Sequence, residues 1–280
     1  MRRDEPRRPG GAGPVVLDTR ESPRPAAVEI AISHALLNRV GAGQLPPLIR
    51  VYRPVPTVAF GRLDAHRDGY GDAIEAARRH GFEPAMRLAG GRAAAYHRGS
   101  LVCEEISAEE GALAGVGDRF ARFSRHLWEA LTALGANVAI GELPNEYCPG
   151  RHSLHVGGRV KVAGIAQRAT RRAALTSASL VVRDATPLRQ VLQDVYGALS
   201  IELDPATVGS LEEELPGIRV EVVAAELIAR LHGDAEVVTA GLDAGTNGLA
   251  AELLPRHKAE PLDCLDLGRG NAELEGGRLQ

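Results

Sequence analysis

The segment GELPNEYCPGRHSLHVGGRVKVAGIAQRATR (residues 141–171) places a cysteine in a Pro/Gly-rich bend just before a β-hairpin pattern. The runs SLHV and RVKVAGIAQR are typical of strands, and Gly157 and Gly158 between them supply a turn. Cys148 directly precedes Pro149. Because proline cannot donate to a strand ladder, the thiol is predicted to lie in a loop near the surface, beside antiparallel sheet.

Outward from this hairpin, helix and strand patterns follow each other irregularly. Apolar residues recur at three- and four-residue spacing in residues 117–136 and predict a helix; they are Phe120, Phe123, Leu127, Leu131 and Leu134. The strand patterns come as hairpins and runs and do not alternate strictly with helices, which favours an α+β fold with a mixed, largely antiparallel sheet flanked by helices. We expect residues 85–107 and 153–183 to share that sheet.

The two ends of the chain differ from its middle. Residues 1–24 are rich in Arg, Pro and Gly, and the last residues show no apolar periodicity either. This composition predicts a disordered N-terminal tail over residues 1–24 and a flexible C-terminal tail over residues 256–280. Residues 25–255 between them are predicted to form one folded domain.

Composition excludes several classes of function. A net charge of −3 over 280 residues gives no support to nucleic-acid binding. The N-terminal stretch lacks the apolar core of a secretory signal, and no run reaches the roughly 20 apolar residues of a membrane span. Three cysteines provide no disulfide framework. We therefore expect a cytoplasmic protein with neither nucleic acid nor membrane as a partner.

Lys161 is the residue of the hairpin whose chemistry needs an explanation. Strict alternation places Lys161 and Ala163 on one face of the strand, and Val160 and Val162 on the other. The lysine is either a solvent-facing residue of an edge strand or a cation aimed into a cleft. In the second case it polarises an acyl carbonyl or raises the thiolate fraction of Cys148.

The other cysteines and the histidines of this region give weaker evidence of a functional role. Cys148, His152 and His155 lack the fourth ligand and the close pairs of a structural zinc site, so no metal is expected. Cys103 lies in an apolar run and reads as a core residue, and Cys264 as a tail residue.

Three blocks, in order along the chain, resemble the biotin/lipoate A/B protein ligase family. RLAGGRAAAYHRGSL (residues 87–101) resembles the arginine-plus-glycine loop that binds the lipoyl group. EYCPGRHSL (residues 146–154) resembles the cysteine block of the amidotransferase branch, and GGRVKVAGIAQR (residues 157–168) resembles the lysine strand. The resemblance covers residues 25–230 and implies a biotin/lipoyl protein ligase-like catalytic domain.

The resemblance also implies a reaction. Cys148 would be the nucleophile that carries an octanoyl or lipoyl group as a thioester, and Lys161 would contact the acyl carbonyl. The acceptor would be a lysine of a lipoyl domain, on the acyltransferase subunits of 2-oxoacid dehydrogenases or on the glycine-cleavage H protein. The acyl chain needs an apolar slot, which the small residues of 93–95, Ala163 and Ala166 are expected to leave open.

By the same resemblance, Arg87, Gly90, Gly91 and Gly164 would bind the acyl group, with no permanently bound cofactor. On its own, the Gly90–Gly91 pair could equally be a hairpin turn, and it lacks the Lys-Ser/Thr of a P-loop.

Two substitutions set the chain apart from the ligase branch. Arg92 stands where that branch has a third glycine, and Arg98 where it has an aspartate. Both favour thioester chemistry over activation by ATP. An ATP-dependent lipoate–protein ligase acting through acyl-AMP, and a non-catalytic protein that binds lipoyl groups or lipoyl domains, remain the alternative hypotheses.

Overall fold

The computed structural model describes residues 15–232 and 239–260. The strands are β1 (Val15–Asp18), β2 (Leu48–Tyr52), β3 (Thr57–Phe60), β4 (Glu83–Met86), β5 (Ala94–Tyr96), β6 (Ser100–Ala108), β7 (Val138–Ile140), β8 (Leu154–Val156), β9 (Val160–Ala169), β10 (Ala173–Val181) and β11 (Thr239–Ala240). The helices are α1 (Ala26–Gly41), α2 (Tyr70–Arg79), α3 (Val116–Ala133), α4 (Thr186–Ala198), α5 (Val220–His232) and α6 (Ala244–Leu253).

The larger sheet has eight strands in the order β11-β1-β2-β6-β10-β9-β8-β7. Strand β1 runs parallel to β11 and β2, and every following pair is antiparallel. The predicted α+β fold with a mixed, largely antiparallel sheet and flanking helices is confirmed.

A second sheet of three strands, in the order β4-β3-β5, corrects the expectation of one shared sheet. Residues 85–107 and 153–183 do not all lie together, because β4 and β5 belong to the small sheet while β6 belongs to the large one. The chain changes sheets at a tight turn, where the Ser100 amide donates to the His97 carbonyl (2.8 Å). This turn interrupts a sequence pattern that looks like one continuous strand.

The helices cover both faces of the large sheet. Helices α3 and α5 pack on one face with Phe123, Leu127 and Leu227, and the prediction of helix α3 is confirmed. Helix α1 covers the opposite face with Ile32 and Leu36. Helices α2 and α4 pack on the small sheet. Within the described ranges, no helix combines the length and the apolar character needed to cross a membrane.

Strands β8 and β9 form the predicted hairpin, with Gly157 and Gly158 at positive φ in its turn. The ladder is irregular: His155 pairs with Lys161, whereas the preceding residue Leu154 pairs with Ala163. Strand β9 therefore carries one extra residue, a β-bulge. Because the bulge reverses the alternation, Lys161 does not share the face of Ala163, which corrects the sequence prediction.

Both predicted tails include residues that belong to the fold. Strand β1 lies inside the predicted N-terminal tail, because the short apolar run VVLD is inserted between β2 and β11. At the other end His257 is buried; its ring lies 3.0 Å from that of His34 and 3.0 Å from the Met86 carbonyl. The tail predictions for residues 1–14 and 261–280 lie outside the described residues.

Candidate active site

Cys148 lies in the loop between β7 and β8, in a backbone conformation that non-glycine residues rarely adopt. Its φ is +42°, and that of Asn145 in the same loop is +54°. Such positions are strained and persist only where the surroundings hold them. Here the Cys148 amide donates to the Tyr196 hydroxyl (2.6 Å), which in turn donates to the Ala93 carbonyl (2.9 Å). Tyr196 therefore ties the cysteine loop to the loop that carries Gly90 and Gly91.

Glu146 organises the cysteine loop from the inside. Its carboxylate is fully buried, and it accepts hydrogen bonds from the Ser153 hydroxyl (2.6 Å) and the Leu143 amide (3.1 Å). A third partner is the Lys161 ammonium, at 2.9 Å. A buried carboxylate with this many donors and a cationic partner holds the loop in one conformation.

The Lys161 ammonium joins the cysteine loop to strand β9. Its three donors go to Glu146 Oε1, the Tyr147 carbonyl and the Cys148 carbonyl, each at 2.9 Å. The side chain is fully buried. A methyl group built on Gly164 would lie 3.7 Å from Lys161 Nζ, an ordinary van der Waals distance, so Gly164 and the ammonium group are direct neighbours.

Arg87 follows β4, and its side chain forms a hydrogen bond with the thiol. Its guanidinium donates to Cys148 Sγ (3.3 Å) and to the Arg92 carbonyl (2.9 Å). Burial alone would raise the pKa of the Cys148 thiol. The charges of Arg87 and Lys161, with hydrogen bonds from Arg87 and the Arg92 amide, outweigh burial and hold that pKa below its ordinary value. A larger thiolate fraction at neutral pH follows.

The two predicted glycines differ in what surrounds them. Gly91 has a φ of +108°, and a methyl group there would lie 2.8 Å from Cys148 Sγ and 3.0 Å from the Arg87 guanidinium. Only glycine fits that position. A methyl group on Gly90 would meet no atom within 4 Å. Gly91 therefore makes room for the thiol–arginine pair, while Gly90 borders open space.

A narrow cavity of about 70 Å³, here called the central cavity, lies beside this pair on the α1-covered face of the large sheet. Arg87 and Gly164 line it, as do Ala94 and Ala166, which the sequence analysis expected beside an acyl slot. Ala163 instead packs in the core against α3 and α5. The cavity thus adjoins the site through Arg87, which contacts Cys148, and through Gly164, which neighbours Lys161.

The structure brings together Arg87, Gly91, Cys148, Lys161 and Gly164, although Arg87 and Lys161 lie far apart in the sequence. The sequence analysis did not find Glu146 or Tyr196. A glutamate in a Pro/Gly-rich loop reads as a solvated residue, and Tyr196 reads as part of the apolar face of α4. The roles of both residues become visible only in the folded protein, where Glu146 binds Ser153 and Lys161, and Tyr196 joins the cysteine loop to the loop of Gly90 and Gly91.

The other cysteine and histidine candidates have different surroundings. Burial raises the pKa of Cys103, which is fully enclosed. His152 stacks on Phe120 with ring centroids 5.2 Å apart. In the part of the chain that the structure describes, no group of three or more His, Cys, Asp or Glu side chains could hold a metal ion. Cys264 lies outside the described residues.

Comparison with known proteins identifies the family. A family model described as the lipoyl protein ligase A/B catalytic domain matches residues 25–232. The chain belongs to this family.

Two relatives carry the name octanoyl-[GcvH]:protein N-octanoyltransferase. The protein of Geobacillus kaustophilus is 32% identical over 146 residues, which cover 52% of this chain and 51% of that protein. The protein of Oceanobacillus iheyensis is 26% identical over 208 residues, 71% of this chain and 74% of that protein. The chain thus matches about half the length of the first relative and about three quarters of the length of the second.

Solved structures share the fold. A lipoate-protein ligase A bound with ATP aligns with a TM-score of 0.68 at 20% identity, covering 88% of this chain and 95% of that one. Protein Ta0514 of T. acidophilum, a putative lipoate protein ligase with bound lipoic acid, aligns with a TM-score of 0.67 at 19% identity and the same coverage.

Proposed function

We propose that the chain is an acyltransferase that moves an octanoyl group through a thioester on Cys148 to a lysine of a lipoyl domain. The contact between Cys148 Sγ and the Arg87 guanidinium, beside the central cavity, carries this proposal. Arg87 both contacts the thiol and lines the cavity, so an activated thiol lies beside a slot for the acyl chain. The names of the two relatives support the octanoyl group, and their donor supports the glycine-cleavage H protein as the octanoyl donor.

In the first half-reaction the Cys148 thiolate attacks the carbonyl carbon of the octanoyl-lysine amide on the donor protein. The C–S bond forms, the C–N bond breaks, and the lysine leaves as an amine after taking up a proton, equivalent to the one that the thiol lost. The Arg87 guanidinium and the Arg92 amide, which stabilise the thiolate, are positioned beside the reacting atoms. Gly164, which lines the cavity, neighbours the Lys161 ammonium, whose charge would attract the developing oxyanion.

In the second half-reaction the amine of an acceptor lysine attacks the thioester carbonyl. The new C–N bond forms, the C–S bond breaks, and the amine gives up its proton to solvent. The thiolate returns to its pair with Arg87, so the enzyme is regenerated. Neither half-reaction requires a nucleotide or a bound cofactor, and the acceptor class is the lipoyl domains of 2-oxoacid dehydrogenase subunits. The need for a free thiol supports a reducing, cytoplasmic setting.

Intact-mass measurement after incubation with octanoylated H protein, without ATP, tests the proposal. We expect the protein to gain the mass of one octanoyl group, and Cys148→Ala to gain none while remaining folded. Cys103→Ala is the matched control, because that thiol is enclosed and its pKa is raised; it should gain the octanoyl mass like the unmodified protein.

Two other outcomes would each favour an alternative. Retention of acceptor modification by Cys148→Ala, with free acid and ATP, would identify an ATP-dependent ligase acting through acyl-AMP. Binding of lipoyl domains without any covalent change in either protein would identify a non-catalytic binder.

A further inference from the structure

One part of the central cavity wall is polar. There Glu104 lines it, and this side chain is almost fully buried. Ser33 Oγ lies 2.8 Å from both Glu104 carboxylate oxygens. Arg50 Nη1 lies 3.4 Å from the same carboxylate, and Ser177 Oγ 3.5 Å from it. Ser33 and Ser177 also line the cavity, so a polar cluster forms this part of a wall that is otherwise largely apolar.

The sheet register fixes how far this cluster lies from the thiol end. Gly164, next to Lys161, pairs with Ser179 on β10, and Ser179 pairs with Val102 on β6. Glu104 lies two residues further along β6 on the same face. The path from Gly164 to Glu104 therefore crosses two strand spacings and two residues along a strand, so their Cα atoms lie roughly 12 Å apart. An extended octanoyl chain, with the van der Waals radius of its terminal methyl, has a comparable length.

We propose that Glu104, fixed by Ser33 and Arg50, ends the acyl slot and limits the bound chain to eight carbons. This inference rests on the proposed function and names a specificity determinant for it. A longer chain would have to press methylenes against the carboxyl group and displace its donors, which carries a desolvation penalty. A shorter chain would leave part of the slot without contacts.

The polar cluster of Glu104, Ser33 and Arg50 is held in place by contacts on the side away from the cavity. Arg50 forms a close ion pair with Glu29 and donates to the Glu29 carbonyl at 3.1 Å. Two carboxylates therefore share one buried guanidinium. Burial raises the pKa of Glu104, and this outweighs the opposing effect of Arg50. Removing Glu104 leaves Arg50 with Glu29 and leaves Ser33 with the Glu29 carbonyl (3.2 Å), so neither loses every partner.

Binding of straight-chain carboxylates, measured by titration calorimetry, tests the limit without any transfer step. The probes are hexanoate, octanoate, decanoate and dodecanoate. In the unmodified protein we expect affinity to rise roughly 15-fold from hexanoate to octanoate, about fourfold for each buried methylene. Decanoate should bind no more tightly than octanoate. Affinity that keeps rising through dodecanoate would overturn the proposal.

Two variants locate the limit. In Glu104→Ala the vacated space admits two more methylenes, so decanoate should bind roughly 15-fold more tightly than octanoate. Ser177→Ala removes one hydroxyl and a long contact, which keeps the fold, and should improve decanoate relative to octanoate by about threefold. Ser179→Ala, on the same strand at the thiol end, is the matched control and should leave the ratio unchanged.

The two proposals fail separately. Unchanged decanoate-to-octanoate ratios in folded Ser177→Ala and Glu104→Ala would overturn the role of Glu104, even if octanoyl transfer proceeds. The absence of an acyl-enzyme with any chain length would overturn the proposed function, while the binding profile would still report where the slot ends.

Discussion

Replacing Arg87 with methionine should raise the pKa of the Cys148 thiol and slow its acylation at neutral pH. The guanidinium lies 3.3 Å from Sγ and is the main cation that opposes the effect of burial. Methionine keeps most of the side-chain length while removing the charge and the hydrogen bond. Burial, which raises the pKa, should then dominate, because only the more distant Lys161 charge and the Arg92 amide remain.

The expected size of the shift follows from the distance. Two unit charges 3.3 Å apart interact by about 5 kcal/mol at an effective dielectric constant of about 20. Cys148 is only half-buried, so solvent screens part of this attraction. We therefore expect the pKa of the thiol to rise and its rate of alkylation at neutral pH to fall by roughly a hundredfold.

The assay is the pH dependence of alkylation by iodoacetamide, followed by the mass of the peptide that contains Cys148. The unmodified protein should react with an apparent pKa below that of a free cysteine, and Arg87→Met with one above it. Arg92→Met is the matched control, since Arg92 contacts the sulfur through its main-chain amide and should keep the low value. Equal apparent pKa values in Arg87→Met and the unmodified protein would refute the role of Arg87.

Three further changes test the site. Gly91→Ala should abolish acyl-enzyme formation, because its methyl group would overlap the thiol and the guanidinium. Gly90→Ala should acylate normally, and comparable acylation rates in the two variants, followed by intact mass, would contradict this. Glu146→Gln should lower the free energy of unfolding by about 3–5 kcal/mol, since it leaves the buried Lys161 charge without its carboxylate, and denaturant titration measures it. Tyr196→Phe leaves a buried amide and carbonyl unbridged and should cost about 1–3 kcal/mol with slower acylation; an unchanged midpoint and rate would show that the bridge is dispensable.

Local patterns predicted the elements that depend on neighbours in sequence. The periodicity of residues 117–136 identified helix α3, because residues three and four apart in sequence lie on the same face of a helix. Gly157 and Gly158 identified the β8–β9 turn, because its backbone needs positive φ. Arg87, Cys148 and Lys161 could be selected from motif resemblance, and the structure brings them together.

What the sequence did not reveal depends on partners distant in the chain. The bulge in β9 arises from the register with β8, so alternation alone wrongly placed Ala163 on the same face as Lys161. The role of Arg87 beside the thiol, and not only in an acyl-binding loop, requires the two loops to meet. The same holds for Glu146, whose four donors come from its own loop and from β9. Strand β1 was missed because its partners are the distant strands β2 and β11.

A pulse–chase measurement of the Cys148 thioester tests the central claim most directly. The protein is loaded with octanoylated H protein without ATP, freed of donor, and mixed with an unmodified lipoyl domain while both masses are followed over time. We predict that the octanoyl mass on the Cys148 peptide disappears as it appears on the acceptor lysine, at least as fast as steady-state turnover. Octanoylation of the acceptor with no octanoyl mass ever present on Cys148, or a thioester that discharges more slowly than turnover, would contradict the account.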